Sequence, residues 1–414
     1  MIFYLISTII SDRFDLDGVK VSSFFKRIGK FFTKTDIMLW LLTIAAVVYS
    51  LLLINSMQRA YEYNFMTSQV LAVILGYIMA VFISVVNYEK ITGLWWLFAV
   101  LSIIFLGLVF VMGVTVEGTD DTAWIILPGG LSFQPSELVK MFFIVTFAKH
   151  MDFLRKKEKL KSLFGVITLL IHMAIPVLLI HMQGDDGTVL VFIFMFIIMA
   201  FVGGVQLRYF IIMIVLLAAG IPIIWNYVLN EEHKARFTAI FDIDGNAMEN
   251  YGWQQYQGKV SVASGSLNGY GLGNGARVSS AIVPEQENDF IFTVAGEELG
   301  FVGCCLIFLI LVLICVKIML DALSAKDYIG KMLCIGVFSM ISVQSIINIG
   351  MVLGLLPVIG ITLPFFSSGG TSVMSMLMCI GLVISVYYHK DDVNEEKGVL
   401  KGNKYKYIRS YNYE

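Results

Sequence analysis

Charged side chains are scarce in this sequence, and their scarcity excludes most classes of water-soluble protein. Only 14% of the 414 residues are charged, whereas 58% are hydrophobic, and the mean hydropathy is +0.81. A water-soluble domain of this composition would expose more apolar surface than it could bury. The net charge of −2 and the lack of basic runs interleaved with aromatic residues argue against a nucleic-acid partner. The sequence therefore predicts an integral membrane protein.

Several motifs for catalysis and metal binding are also missing. The sequence contains no Walker A phosphate loop, no His-Glu-x-x-His helix and no Cys/His spacing for zinc. These absences argue against an ATP-driven pump and a zinc hydrolase, and we predict no metal site made by the protein alone. The five cysteines all lie inside apolar runs, where a thiol usually packs as a small hydrophobic group. We expect them to be structural.

Long apolar stretches are abundant, and they predict an all-α polytopic membrane protein. A helix needs about 20 mostly apolar residues to cross a bilayer. Ten stretches qualify as candidate spans, although the fourth is short and carries a lysine. They cover residues 37–55, 69–86, 94–113, 138–150, 163–181, 189–205, 209–228, 290–319, 332–356 and 373–389.

The basic residues are distributed unevenly between the loops, which predicts the orientation of the chain. With ten spans, 23 of the 29 lysines and arginines fall on one side, which the positive-inside rule makes cytoplasmic. Both termini are then cytoplasmic, with an N-terminal segment at 1–36, a transmembrane domain at 37–389 and a tail at 390–414. One long outer loop, residues 229–288, precedes the eighth helix and is typical of a lid or binding loop.

Segment 134–140 places opposite charges at the start of the fourth apolar stretch. Its proline and serine suit a helix start, with Glu137 in the first turn and Lys140 one turn deeper. One interpretation is an ion pair that makes a single lysine tolerable near the membrane. The other is that Lys140 faces a cavity and meets a substrate phosphate, because ionisable residues inside membranes usually mark a pathway or site.

A second acidic segment runs from the long loop into the eighth stretch. We predict Asn288 as the N-cap of this helix and Asp289 at its outer mouth, with Glu297 and Glu298 about 12 Å deeper at 1.5 Å per residue. Asp289 is either a capping residue or a reactive carboxylate. The two glutamates either join helices by hydrogen bonds or belong to a site.

Three further polar segments interrupt the apolar pattern. Residues 183–187 predict a tight outer turn whose two acids bind a cation or, as we expect, are simply solvated. Residues 364–372 break an apolar region with small residues, which permits close helix approach or irregular backbone lining a cavity. The glycine-rich segment 269–275 either wraps an anion with backbone N–H groups or is a flexible loop.

With these segments the chain resembles the SEDS family of bacterial peptidoglycan glycosyltransferases, the group of RodA, FtsW and SpoVE. The similar segments are Trp124 with 133–140, then 183–188, 289–292 with 296–300, and 348–372, in the family's order. Residues 348–361 are more similar to RodA than to FtsW. The chain departs from the usual family residues at Gly184, Asp186, Asn288 and Ser368.

The resemblance implies that the chain polymerises lipid II on the outer side of the bacterial cell membrane. The 4-hydroxyl of one disaccharide attacks the anomeric carbon of another, forms a β-1,4 bond and expels undecaprenyl pyrophosphate. Asp289 is then the catalytic base. Its position at a helix N-terminus should lower its pKa, so burial or a nearby acid would have to raise it. The substrate-binding residues are expected to be Lys140, Glu137, Trp124, Gln134, Arg236, Glu298 and Ser372.

The resemblance also implies partners. A class B penicillin-binding protein, a transpeptidase, would cross-link the strands, and a divalent cation such as Mg²⁺ or Mn²⁺ could assist at the pyrophosphate. Two rival functions stay open. A flippase or transporter of a lipid-linked precursor would use the same helices and polar cavity. A non-catalytic scaffold for the transpeptidase would not need the carboxylate of Asp289.

Overall fold

The structure is a computed structural model that describes residues 34–62, 64–115, 122–127, 131–228, 231–238 and 252–390. The predicted N-terminal segment up to residue 33, the tail from residue 391, and residues 229–230 and 239–251 of the predicted outer loop lie outside the described residues. The described part is almost entirely helical, as predicted. It adds one short hairpin of two antiparallel strands, in which Ile125 pairs with Phe133.

The described segments contain fourteen helices and two strands. In chain order they are α1 (Ile37–Met57), α2 (Phe65–Val85), α3 (Tyr88–Gly93), α4 (Trp95–Met112), β1 (Ile125–Leu127), β2 (Leu131–Phe133), α5 (Pro135–Lys156), α6 (Leu163–His181), α7 (Asp186–Gly203), α8 (Leu207–Ile223), α9 (Glu231–Thr238), α10 (Trp253–Ser264), α11 (Ala276–Ser279), α12 (Ile291–Ser324), α13 (Tyr328–Val352) and α14 (Gly370–Tyr388).

Ten of these helices correspond one to one with the ten predicted spans. Nine helices of the described part are long and apolar enough to cross a membrane. The tenth is α5, whose charged residues make it less apolar than the others, yet its residues 135–148 are all buried by neighbouring helices. A helix surrounded by protein can carry polar groups that lipid would reject, because other side chains satisfy them.

The centre of the bundle is formed by α5, α13 and α14, which are buried on most of their surface. α14 packs closely against α2 because glycines face it. A Cβ atom on Gly381 would lie 2.5 Å from the carbonyl oxygen of Ala80, and one on Gly76 would lie 2.8 Å from Leu377. Small residues of this kind let membrane helices approach with their backbones in contact.

Other helices lie at the perimeter. α8 has no buried residue, and only Leu106 and Val109 are buried in α4. Their apolar side chains point outward, as expected for helices whose solvent is the hydrocarbon of a bilayer.

The eighth span, α12, is broken near its N-terminal end. Gly300 adopts φ 66° and ψ −160°, which interrupts the helix within an otherwise continuous stretch of 34 residues. The loop residues Leu267 and Gly269 pack directly against this break, and a Cβ atom on Gly300 would lie 2.4 Å from the Gly269 nitrogen. The segment before α12 is therefore anchored to the break and is not a free lid.

Candidate active site

Asp289 lies in a turn immediately before α12 and is only 7% exposed. The helix begins at Ile291, and its N-cap residue, Phe290, makes no side-chain capping hydrogen bond. The predicted N-cap at Asn288 is therefore wrong, since the Asn288 Nδ2 donates to Glu285 Oε2 at 2.6 Å instead. The capping interpretation of Asp289 is also wrong, because its side chain does not hold the helix start.

The Asp289 carboxyl group is electrostatically unusual. Its Oδ1 is buried and has no hydrogen-bond partner among the described residues. Burial raises its pKa from 3.8 to about 8, and Glu285 and Glu287 raise it further, whereas its own backbone and the Arg236 guanidinium lower it. Burial is therefore the largest cause of the raised pKa of the Asp289 carboxyl. A carboxyl group in this state suits proton transfer near neutral pH.

The backbone on both sides of Asp289 is fixed by α13 and the segment that follows it. Asn348 of α13 donates from Nδ2 to the carbonyl oxygens of Asp289 and Ile361, at 2.7 and 2.6 Å. The Ser367 hydroxyl donates to the Asn288 carbonyl at 2.5 Å, and the Ser368 N–H donates to the Glu287 carbonyl at 2.7 Å. The predicted irregular segment 364–372 thus positions the Asp289 turn.

Arg236 is the cation that the structure places in electrostatic range of Asp289. It lies on α9, is half-buried, and lowers the pKa of the Asp289 carboxyl. Arg236 was predicted as a site residue only from the family resemblance, because no local sequence pattern connects Arg236 with Asp289, which lies 53 positions later. The fold brings Arg236 within electrostatic range of Asp289.

The charges at the start of α5 form the predicted ion pair. Lys140 Nζ lies 2.8 Å from Glu137 Oε1, and both side chains are buried. The Ser375 hydroxyl of α14 donates to the Glu137 carbonyl at 2.6 Å, while Glu137 Oε2 has no partner among the described residues. Lys140 is fully buried in this conformation, and its contact is the ion pair with Glu137 that the first interpretation predicted.

Asp185 is a half-buried acid that was not among the predicted site residues. Its Oδ2 accepts a hydrogen bond from Gln134 Nε2 at 2.8 Å, and its Oδ1 accepts one from the Thr188 N–H at 2.9 Å as the N-cap of α7. Burial raises its pKa, and the Lys140 charge opposes that shift. The solvated-turn prediction is therefore wrong for Asp185. It fits Asp186 better, whose half-exposed side chain pairs with His181.

A local signal for Asp185 was present in the sequence. An aspartate three residues before a threonine, at the start of an apolar run, is typical of a helix N-cap. That pattern would have predicted an ordered carboxylate in place of a solvated one.

The residues from the end of α13 to the start of α14 contact both the Asp289 turn and the Gln134–Asp185 pair. The Thr371 hydroxyl accepts a hydrogen bond from the Gln134 N–H at 3.3 Å, and the Ser372 hydroxyl lies 3.1 Å from the Thr362 hydroxyl. Trp124 is half-buried and forms a bridge with Val114. Its neighbour Thr122 donates its N–H to the Gln183 carbonyl at 3.0 Å, which ties this strand to the Asp185 turn.

One N–H group of the glycine-rich segment, that of Gly273, binds a carboxylate of the protein itself, and the start of α11 binds a second one. The Glu298 carboxylate accepts hydrogen bonds from the Gly273 N–H at 3.1 Å and from the Ser56 hydroxyl of α1 at 2.5 Å. The Glu297 carboxylate accepts the N–H groups of Arg277 and Val278 at 2.8 and 3.1 Å. These N–H groups are therefore occupied, and both glutamates join the loop to the helix bundle.

Comparisons with known proteins agree with this arrangement. The family profile described as cell cycle protein, FtsW/RodA/SpoVE, matches residues 33–392. This chain belongs to the FtsW/RodA/SpoVE family. The stage V sporulation protein E of Bacillus subtilis is 33% identical over 363 residues, which cover 86% of this chain and 97% of that protein. The peptidoglycan glycosyltransferase MrdB of Escherichia coli K12 is 29% identical over 84% of this chain and 92% of its own length.

Solved structures show the same fold. A chain from a peptidoglycan synthase complex, described as coordinating polymerization and crosslinking, superposes with a TM-score of 0.71 at 25% identity and covers 86% of this chain and 98% of its own length. The rod shape determining protein RodA of Thermus thermophilus superposes with a TM-score of 0.62 at 24% identity, over 86% of this chain and 97% of its own length. Both structures confirm the predicted helical membrane fold.

Proposed function

We propose that this FtsW/RodA/SpoVE protein is a peptidoglycan glycosyltransferase that polymerises lipid II with Asp289 as the catalytic base. The observation that carries the proposal is the Asp289 carboxyl group, which is buried, has an oxygen without a partner among the described residues, and has a pKa of about 8. The names of relatives such as MrdB, a peptidoglycan glycosyltransferase, support the reaction class. The predicted orientation puts this site on the outer face of the bacterial plasma membrane.

The proposed reaction needs one proton acceptor and one stabilised leaving group. The 4-hydroxyl of the acceptor sugar gives its proton to the Asp289 carboxylate as its oxygen bonds to the anomeric carbon of the donor sugar. The bond from that carbon to the pyrophosphate breaks at the same time, and undecaprenyl pyrophosphate leaves with the bonding electrons. A base whose pKa lies near the working pH is effective in such a step.

Arg236 is proposed as the residue that binds the departing pyrophosphate, because its positive charge already reaches Asp289. Lys140 is paired with Glu137 and enclosed, so it would contact the pyrophosphate only after the start of α5 rearranges. Among the described residues no three His, Cys, Asp or Glu side chains converge as metal ligands. A divalent cation would therefore take most of its ligands from the pyrophosphate.

The other predicted residues are assigned to positioning. Gln134 and Glu137 hold the start of α5 against Asp185 and α14. Ser372 and Trp124 lie in the segments next to the Asp289 turn and the Asp185 turn. Glu298 anchors the glycine-rich loop. The partner is proposed to be a class B penicillin-binding protein, in keeping with the peptidoglycan synthase complex that shares this fold.

The decisive test is glycan synthesis from purified lipid II by the detergent-solubilised protein bound to its cognate penicillin-binding partner. We expect wild type to make polymer and a folded, partner-bound Asp289→Ala variant to make none. Asn288→Ala is the matched control, since the Asn288 side chain contacts only the exposed Glu285 side chain in the described structure.

Two other outcomes would refute the proposal. Equal polymer from wild type and Asp289→Ala would place catalysis elsewhere. No polymer from either protein, together with translocation of a labelled precursor in vesicles, would favour the flippase. The scaffold function would be favoured if the partner's cross-linking depended on this chain while Asp289→Ala left it unchanged.

A further inference from the structure

A cavity of about 530 Å³ opens between α4, α5 and α6, and none of the site residues discussed above lines it. Its walls are mostly apolar, and lining residues such as Ile103, Ile171 and Ile175 are exposed at the perimeter of the bundle. The volume falls within the range of roughly 300–1,000 Å³ that is typical of pockets for small molecules. A ligand would therefore enter this cavity from the lipid phase.

One wall of the cavity carries a chain of hydrogen bonds whose direction can be worked out. The Thr146 hydroxyl lies 3.0 and 3.1 Å from the carbonyl oxygens of Phe142 and Phe143, so its single proton goes to the backbone. Thr146 must then accept a proton from His172 Nε2, at 3.1 Å. In the neutral form of His172, Nδ1 then has no proton and accepts a hydrogen bond from His150 Nδ1, also at 3.1 Å. This order leaves Nε2 of the half-buried, neutral His150 ring as a hydrogen-bond acceptor for a ligand.

The cavity has a charged end and an apolar end. Lys149 lines it beside His150, and α5 continues toward its basic last turn with Arg155 and Lys156. The opposite end is lined by Leu106 of α4 and Leu179 near the end of α6. A long apolar cavity with one cation and one hydrogen-bond acceptor at a single end matches an amphipathic molecule.

We propose that this cavity binds an anionic phospholipid whose headgroup carries hydroxyls, of the phosphatidylglycerol type. One acyl chain fills the apolar part between α4 and α6. The Lys149 ammonium donates to the headgroup phosphate, and a headgroup hydroxyl donates to His150 Nε2. The site lies where α5 approaches the membrane surface, which is where a lipid headgroup resides.

The test measures lipid binding directly. The protein is purified in an uncharged detergent, stripped of lipid and titrated with dioleoyl phosphatidylglycerol while its thermal unfolding and its bound lipid, by native mass spectrometry, are followed. We expect a saturable rise in Tm with one tightly bound lipid. A Lys149→Gln/His150→Phe double variant should bind at least tenfold more weakly, whereas Lys90→Gln, which removes an exposed lysine outside the cavity, should bind as wild type does.

A second variant tests the apolar part of the site independently. Ala99→Phe fills the cavity from α4 without changing any charge, and it should weaken binding to a similar degree. Dioleoyl phosphatidylcholine and glycerophosphoglycerol, the headgroup without chains, should each raise Tm far less than the intact anionic lipid. Any of three results would overturn the proposal. Either control ligand could raise Tm as much as the intact anionic lipid does, wild type could fail to bind that lipid, or the Lys149→Gln/His150→Phe and Ala99→Phe variants could both bind it as wild type does.

Discussion

Asp289 and the pair Glu297 and Glu298 are buried acids within ten residues of each other, and they differ in whether all their carboxylate oxygens have hydrogen-bond donors. Each carboxylate oxygen of Glu297 and Glu298 has a donor, which comes from Ser56, from Gly273 or from the backbone of α11. Asp289 has an oxygen without one. A buried acid whose hydrogen bonds are complete holds structure together, whereas an acid left incomplete can take a proton from a substrate. Sequence position alone does not separate these roles.

The largest expected effect is that of Asp289→Asn on catalysis. The amide keeps the shape of the side chain but cannot accept the proton, so glycan synthesis should fall by about 10²- to 10⁴-fold. The measurement is the initial rate of lipid II polymerisation with the partner bound. Activity within tenfold of wild type would remove Asp289 from the reaction.

The same substitution should also affect stability in a way that Glu298 substitutions do not. A carboxyl group with a raised folded-state pKa contributes stability that is present at low pH and is lost as the pH rises through about 8. The loss begins near the unfolded pKa of 3.8 and is complete above about pH 8, so Asp289→Asn should change Tm little near pH 4 and raise it relative to wild type near pH 9. Thermal unfolding in detergent at the two pH values measures this difference. A lower Tm at pH 9 would contradict the burial argument.

Glu298→Ala should do the opposite and lower stability at every pH. It leaves the buried Ser56 hydroxyl without its acceptor, which costs about 1–3 kcal/mol, while the Gly273 N–H keeps its hydrogen bond to Ser56 Oγ at 2.7 Å. We expect Tm and activity to fall together as the loop detaches from α12. Glu298→Gln, which keeps one acceptor oxygen, should recover part of both, and loss of activity at full stability would indicate a direct role in catalysis.

The pH dependence of the rate should follow the charges around Asp289. Because the base works as a carboxylate, kcat/KM should rise with pH through about 8. Glu285→Gln removes a charge that raises the pKa and should shift the profile to lower pH. Arg236→Gln removes one that lowers it and should shift the profile to higher pH, besides weakening pyrophosphate binding. Profiles that do not move would show that another group titrates.

The smallest expected effect on stability and rate is that of substitutions at Asp185. Asparagine is a good N-cap, and when its oxygen accepts the Thr188 N–H its amide NH2 group can donate to Gln134 once the Gln134 amide turns its oxygen toward it. Asp185→Asn should therefore cost little stability. Asp185→Ala should cost about 0.5–2 kcal/mol through loss of the cap alone. Comparing their Tm values with their rates of polymerisation separates the capping role from any effect of the charge. An Asp185→Asn rate as low as that of Asp289→Asn would make Asp185 part of the reaction.

The sequence by itself determined the membrane class, the ten helices and most of their bounds, because apolar runs of about 20 residues have few other solutions in lipid. It also identified the acidic segments near Asp289 and Lys140. It did not determine which of these acids is left without partners, because their donors come from distant parts of the chain. Ser56, Gly273 and Asn348 are examples. Only the tertiary structure decided the pKa of Asp289, since burial by surrounding helices is a property of their packing and not of local sequence.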